Sequence, residues 1–345
     1  MYHKEDSFIE KPLKNAKDLY RAATFFEICF AIISMMKPPQ ELLECYYFLP
    51  KVRGYKFEEF LGKGGFGSTG KYSSDFDAGA YFAIKFLKLN TQEKITDGRQ
   101  EVEIFSEISR RRDFPKGSII ELKDAYVDEN ILIMIMEFAA KGDLFNELKF
   151  RREKNMAYSF EELCEHFINL AKGLYFLHSG KPQFIHRDIK PQNILITEEK
   201  KLKIGDFGSV KRTFKKNLTA GEEFIKSNTY IGSESYLPPE IVKPPYEYNE
   251  KVDIWALGLV FYEMVTLKRI LKRPSNESEL DFSSMAMYKP EEIRLLEEII
   301  KGMVCIEKEK RFSAGSIISR MSILNSSCAI PLNIFQTKGA EEIEW

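Results

Sequence analysis

Cysteine, histidine and tryptophan are scarce in this chain: five, four and two of 345 residues. The cysteines (Cys29, Cys45, Cys164, Cys305, Cys328) are odd in number and scattered, and none sits in a C-x-x-C. That pattern argues against a disulfide scaffold or a zinc module and for a reduced, intracellular setting, cytoplasmic and/or nuclear. The histidines are equally dispersed, so no imidazole cluster suggests a metal site. An excess of one charge is also lacking. The formal net charge is −1, which removes the usual reason to expect nucleic-acid binding. Lysine-rich patches at 200–203 and 211–216 read as solvated loops. No apolar run is long enough to cross a bilayer. The best, "ATFFEICFAIISMM" at 23–36, contains Glu27 and covers about fourteen residues against the ~20 needed. It starts too far along, after a lysine-rich polar segment, to be a signal sequence. Internal repeats and low-complexity tracts are missing as well.

What remains is an ordinary globular composition, 44% hydrophobic and 30% charged. The length suits one large domain in two lobes, or two domains with an extension. Residues 1–54 read as that N-terminal extension: a charged start, the apolar helix, a stop at Pro38–Pro39, and a second short helix, "ELLECYYFL". From Tyr55 the pattern alternates. "YKFEEFLGKG" reads as a strand, and "GKYSSDFDAGAYFAIKFLKL" as a hairpin turning at Asp75–Gly79. Residues 99–110 read as a helix with Val102, Ile104, Phe105 and Ile108 on its apolar side. Two more strands surround a turn near Asp128–Asn130. After Ala139 the chain becomes mainly helical. "FEELCEHFINLAKGLYFLHSG" is a long helix, with short strands expected at 193–197 and 201–205. "KVDIWALGLVFYEMVTL" is apolar nearly all round and should be buried. Two further helices follow, and 326–345 form a C-terminal tail.

The stretch "LGKGGFGSTGKY" at 61–72 poses the chemical question. Gly62-x-Gly64-x-x-Gly67 has the spacing of a dinucleotide-binding turn, and Gly65-x-x-x-x-Gly70-Lys71 is nearly a Walker A loop. Both alternatives fail on context. A dinucleotide fold needs a helix directly after the glycines, and "YFAIKFL" reads as a strand. A Walker A loop needs Ser or Thr after its lysine, and Tyr72 stands there.

Four more motifs follow in order: "YFAIK" at 81–85, "FIHRDIKPQN" at 184–193, "IGDFG" at 204–208 and "SYLPPE" at 235–240. Together with the glycine loop, this set resembles the eukaryotic protein kinase superfamily, over roughly residues 55–325. The resemblance implies an α+β, bilobal protein-kinase-like fold. Its small antiparallel-sheet lobe would be 55–138 and its larger helical lobe 139–325. It implies transfer of the γ-phosphate of ATP, with Mg2+, to Ser/Thr hydroxyls of protein substrates. Phosphoryl transfer is mainly positioning and charge neutralisation, and the matching residues suit those tasks.

The resemblance gives Leu61, Gly62, Lys63, Gly64, Gly65, Phe66 and Gly67 to the phosphate flap. Lys85 would hold the α/β-phosphates and be fixed by a helix carboxylate. Glu101 is the choice, since Phe105 fits the apolar position four residues on; Glu103 is the alternative, and Glu107 suits a solvated role. Asp188 would accept the hydroxyl proton, Lys190 would steady the γ-phosphate, and Asn193 and Asp206 would ligate Mg2+ through hard oxygens. Ala83 and Leu195 would sandwich adenine, with Met136 behind it and Glu137 to Ala139 as the hinge. Asp143 could reach the ribose. Thr69 stands where the family usually has valine, a branched shape with one methyl exchanged for a hydroxyl. His186 is expected to pack with Phe105, Leu122 and Phe207 as a structural column.

Lysine two residues after Asp188 is the serine/threonine pattern in this family. Arg187 would pair with an activation-loop phosphate, for which Thr229 is the leading candidate. Ser233 takes the place of a threonine near Asp188 and Lys190. Glu240 should pair with Arg311, and Asp253 and Trp255 should anchor the large lobe. The competing classes are a pseudokinase scaffold, disfavoured because Lys85, Asp188, Asn193 and Asp206 are all present, and a small-molecule kinase, disfavoured by the full 209–240 segment. Residues 1–54 are expected to serve a regulatory partner. Deleting them should therefore change activity, stability or binding, and a truncated protein unaltered in all three measurements removes that role.

Overall fold

The structure, a computed structural model, describes residues 52–64, 67–213, 225–227, 232–241 and 246–327. Nearly all of the expected extension and tail lies outside these residues. The chain divides into two compact units between Ala80 and Tyr81.

The described part of the first unit is built on a hairpin of β1 (Tyr55–Gly64) and β2 (Gly67–Ser74). It is antiparallel, running from Tyr55 opposite Ser74 to Gly64 opposite Gly67. Gly67 adopts a φ of 140°, which side-chain-bearing residues rarely reach. Phe57 and Tyr72 face each other across the strands with ring centroids 5.5 Å apart, a cross-strand pair that fixes register. The hairpin's base includes residues assigned from sequence to the extension. Tyr55 N–H donates to the Val52 carbonyl at 3.2 Å, and Asp75 N–H to the Gly54 carbonyl at 2.8 Å.

The second unit opens with β3 (Tyr81–Lys88), β4 (Leu122–Asp128) and β5 (Ile131–Glu137), with β5 paired antiparallel to both others. Between β3 and β4 runs α1 (Gln92–Arg110), capped by the Thr91 hydroxyl accepting from Lys94 N–H. This helix begins about two turns earlier than expected. Its first turns hold Thr96, Asp97 and Gly98, all weak helix formers. Gly98 has a packing reason to be there. A Cβ added to it would lie 3.0–3.2 Å from Leu87, Leu132 and Leu89. The buried side is Gly98, Glu101, Ile104, Phe105 and Ile108. Val102, expected there, is only half-buried, and a carboxylate takes its place.

The remainder is mainly helical. The helices are α2 (Leu144–Lys154), α3 (Phe160–Ser179), α4 (Lys251–Thr266), α5 (Pro290–Met303) and α6 (Ala314–Ser327). Asn155, at φ 50°, ends α2, a role asparagine shares with glycine. Ser159 and Glu162 start α3 with a reciprocal capping box. Among the described residues, three short antiparallel pairs accompany the helices: β6 (Gln183–Ile185) with β9 (Lys211–Thr213), β7 (Ile194–Ile196) with β8 (Leu202–Ile204), and β10 (Ile225–Ser227) with β11 (Tyr246–Tyr248). Every residue of α4 from Val252 to Thr266 is buried. The architecture is therefore α+β. Among the described residues, no helix is long and apolar enough to cross a membrane.

Burial of α4 carries charges inside with it. Arg311, 2% exposed, donates from both terminal nitrogens to Glu240, at 2.7 and 2.8 Å, and from Nε to the Cys305 carbonyl at 2.7 Å. Its guanidinium also lies 5.0 Å from the Trp255 ring. Breaking one half of such a pair strands the other charge, at a cost of about 3–5 kcal/mol. Arg311→Met should lower the stability measured by urea denaturation by that amount. Arg311→Lys, which cannot bond in two places, should recover only part of it.

Candidate active site

The buried helix α4 places Asp253, 1% exposed, directly beneath the segment His186–Asp188. Its Oδ2 accepts from His186 N–H, and its Oδ1 from Arg187 N–H, both at 2.8 Å. His178 Nε2 is also 2.8 Å from Oδ2. Arg187 sits at φ 68°, a left-handed conformation costing roughly 1–2 kcal/mol for a non-glycine residue, and these bonds hold it there. The His186 ring reaches the Gly205 carbonyl at 3.0 Å and stands edge-on to Phe207 at 5.6 Å. Phe207 stacks on Phe105 of α1 at 4.4 Å. The aromatic column therefore links α1 to the two segments bearing Asp188 and Asp206.

Asp188 is surrounded by donors. Lys190 Nζ lies 2.7 Å and Asn193 Nδ2 2.9 Å from its Oδ2, while Ser233 N–H donates to Oδ1 at 3.1 Å. The Ser233 hydroxyl donates to the same Oδ1 at 3.3 Å and accepts from Lys190 Nζ at 2.9 Å. Asn193 also donates to the Asp188 carbonyl at 2.8 Å. Its amide nitrogen is thus committed to Asp188, which turns Oδ1 the other way.

Lys85, on β3, lies 2.7 Å from Glu101 Oε1 and 3.5 Å from Asp206 Oδ1. Burial pulls the Lys85 amine down, but the charges of Glu101 and Asp206 outweigh it and hold it above its ordinary value. Loss of water pushes the Asp206 carboxyl up, and Lys85 together with the Gly208 N–H, Lys190 and other neighbours outweighs it, leaving it low. Glu103 is exposed. Glu107 is ion-paired with Arg212 at 2.5 Å rather than simply solvated.

The other expected site residues fall in several places. Ala83 and Met136 are paired across β3 and β5. Leu195 forms a bridge with Asp143. The Asp143 carboxylate caps α2, accepting from Asn146 N–H at 2.8 Å and Asn146 Nδ2 at 2.9 Å, so a ribose would compete with that cap. The segment from Glu137 to Ala139 is pinned on both sides, by Glu137 N–H to the Glu121 carbonyl and Lys141 N–H to the Ile196 carbonyl, each at 2.9 Å. Leu61, Gly62, Lys63, Gly64, Gly67 and Thr69 belong to the first unit's hairpin, Gly62 opposite Thr69. Gly65, Phe66 and Thr229 lie outside the described residues.

Three contacts escaped the sequence reading. The Glu137 side chain is ion-paired with Lys203, 6% exposed; an inward lysine between Leu202 and Ile204 was the available signal. Arg187 Nε donates to the Ser209 carbonyl at 2.6 Å, and its Nη1 to the Tyr248 hydroxyl at 3.1 Å. Neither partner carries a sequence signal.

Two hard oxygen donors, the Asn193 amide and the Asp206 carboxylate, thus stand with a lysine–glutamate pair and a carboxylate set among donors. Residues 55–321 match the protein kinase domain, and the chain belongs to that family. Among its relatives, serine/threonine-protein kinase dst1 of Dictyostelium discoideum is 33% identical over 213 residues, which is 61% of this chain and 26% of that protein. Serine/threonine-protein kinase Nek1 of Mus musculus is 31% identical over 212 residues, 60% of this chain and 16% of that one. An Aurora kinase of Schizosaccharomyces pombe is 30% identical over 263 residues, 70% and 68% of the two chains. The chain spans 24%, 44% and 26% of the length of three Dictyostelium discoideum relatives.

Complete burial pushes the Asp253 carboxyl up, but the bonds from His178 and the backbone N–H groups outweigh it and hold it below its ordinary value. A depressed folded value contributes stability above the unfolded pKa, about 3.9, and that contribution is lost as pH falls towards the folded value. Thermal denaturation in acid should therefore show stability declining below about pH 4. Asp253→Asn should be less stable at neutral pH, by roughly 1.5–3 kcal/mol, and should decline less steeply. An unchanged acid slope in the variant would contradict this assignment.

Proposed function

We propose that the chain is a Mg-ATP-dependent serine/threonine protein kinase. The observation that carries the reading is the single network joining Asp188, Lys190, Asn193 and Ser233, beside a Lys85–Glu101 pair that reaches Asp206. The incoming hydroxyl oxygen attacks the γ-phosphorus, the bond to the β–γ bridging oxygen breaks, and ADP leaves. Asp188 takes the hydroxyl proton. Lys190, held between Asp188 and Ser233, neutralises charge on the transferring group. Lys85, oriented by Glu101, holds the α/β-phosphates. Asn193 Oδ1 and Asp206 fit a magnesium ion, which takes one or two protein oxygens plus phosphate oxygens and waters. That ion supplies neutralisation of phosphate charge.

The family pattern adds the glycine run from Leu61 to Gly67, with Thr69, for the nucleotide, and Ala83, Met136, Glu137, Ala139 and Leu195 for adenine. Serine/threonine preference rests on Lys190 and on the names of the relatives, which are serine/threonine-protein kinases. The substrates are proteins bearing Ser or Thr. Control by a phosphate at Thr229 is supported by two crowded cations: burial and the neighbouring Arg187 charge hold the Lys211 amine below its ordinary value. An anion there would relieve both. Residues 1–54 remain the proposed site for a regulatory partner.

Radiolabelled ATP and a panel of serine, threonine and tyrosine peptides test the reading. Wild type should label the first two, and Asp188→Ala should lose at least a thousandfold in kcat, the scale of removing a group central to the chemistry. No transfer by wild type would favour a scaffold. Mass spectrometry of the active preparation should find phosphate on Thr229, and full activity without it sinks the regulatory part.

A further inference from the structure

Tyr248 is fully buried against Ile185, Ile241 and Val252. A phenylalanine would pack as well, so the hydroxyl is what needs an account. It accepts from Arg187 Nη1 at 3.1 Å. The same arginine donates from Nε to the Ser209 carbonyl at 2.6 Å, three residues past Asp206. A planar guanidinium held at two points has a fixed orientation. Arg187 thereby ties the residue preceding Asp188 to the segment that follows Asp206. The far side of Tyr248 carries the second half of the connection. It belongs to β11, whose backbone pairs with β10 in the 209–234 segment, Tyr248 opposite Ile225.

We infer that Tyr248 is a positioning residue whose hydroxyl couples docking of strand 225–227 to the geometry of Asp188 and Asp206. Strand pairing sets the backbone of Tyr248, its buried ring sets the hydroxyl, and the hydroxyl sets Arg187. The inference rests on the kinase reading for its catalytic consequence, and on geometry alone for the coupling.

Tyr248→Phe removes one oxygen and keeps the ring. It should lower kcat about tenfold, the scale of one lost bond to a charged group, while KM for ATP stays within about twofold. In an Arg187→Lys background, Tyr248→Phe should cause no further loss, because the partner it acts through is already gone. Hydrogen–deuterium exchange needs no activity. Tyr248→Phe should raise exchange together at 186–190 and at 225–227, and Arg187→Lys should do the same at 225–227 even if the tyrosine variant fails to fold. An unchanged kcat, equal losses in both backgrounds, or faster exchange confined to 246–252 would each overturn the coupling. If wild type transfers no phosphate, the proposed activity falls, and the exchange experiment still decides the role of Tyr248.

Discussion

Asp253 is a carboxylate without water, and its position is possible only because three donors converge on it. Two of them are consecutive backbone N–H groups, of His186 and Arg187, so the buried charge dictates the shape of the segment before Asp188. The third, His178 at the end of α3, ties a second helix to the same point. A buried ion is costly unless every lone pair is satisfied. Here satisfying it requires the unusual backbone of Arg187. The rest of the site hangs from that geometry: Asp188 next in sequence, and Lys190 and Asn193 folded back onto it.

The column Phe105–Phe207–His186 does comparable work between α1 and the loops. Stacked rings in a packed core have few alternative arrangements. Fixing Phe105 also fixes the face of α1, and one turn earlier that face presents Glu101 to Lys85. This explains why a carboxylate replaces an apolar residue on the buried side of the helix. The pair is part of how α1 docks, and its charges in turn act on Asp206.

Much of this was legible in advance. Alternation located the strands, and the apolar circumference of "KVDIWALGLVFYEMVTL" marked a helix with no solvent face. The motif spacing identified the residues that meet around Asp188. The misreadings have physical causes. Helix α1 extends back past residue 99 through the weak helix former Gly98, whose missing side chain lets the helix approach the sheet. Glu107 looked solvated because its partner, Arg212, is distant in sequence. Val52 and Gly54 read as part of the extension because hydrogen bonds to backbone carbonyls leave no composition signal.

By itself, the sequence determined the kinds of group available and their order: hard oxygen donors, lysines able to pair with carboxylates, and a glycine run ahead of them. Side-chain chemistry and hydrophobic period are local properties, and both survive in one dimension. Only the tertiary structure decided which carboxylate Lys85 would meet, that the Asp143 carboxylate caps its own helix, and that Tyr248 reaches Arg187. The first and last of those contacts join residues 16 and 61 positions apart, and they exist only once burial of α4 and α1 has fixed where each backbone lies.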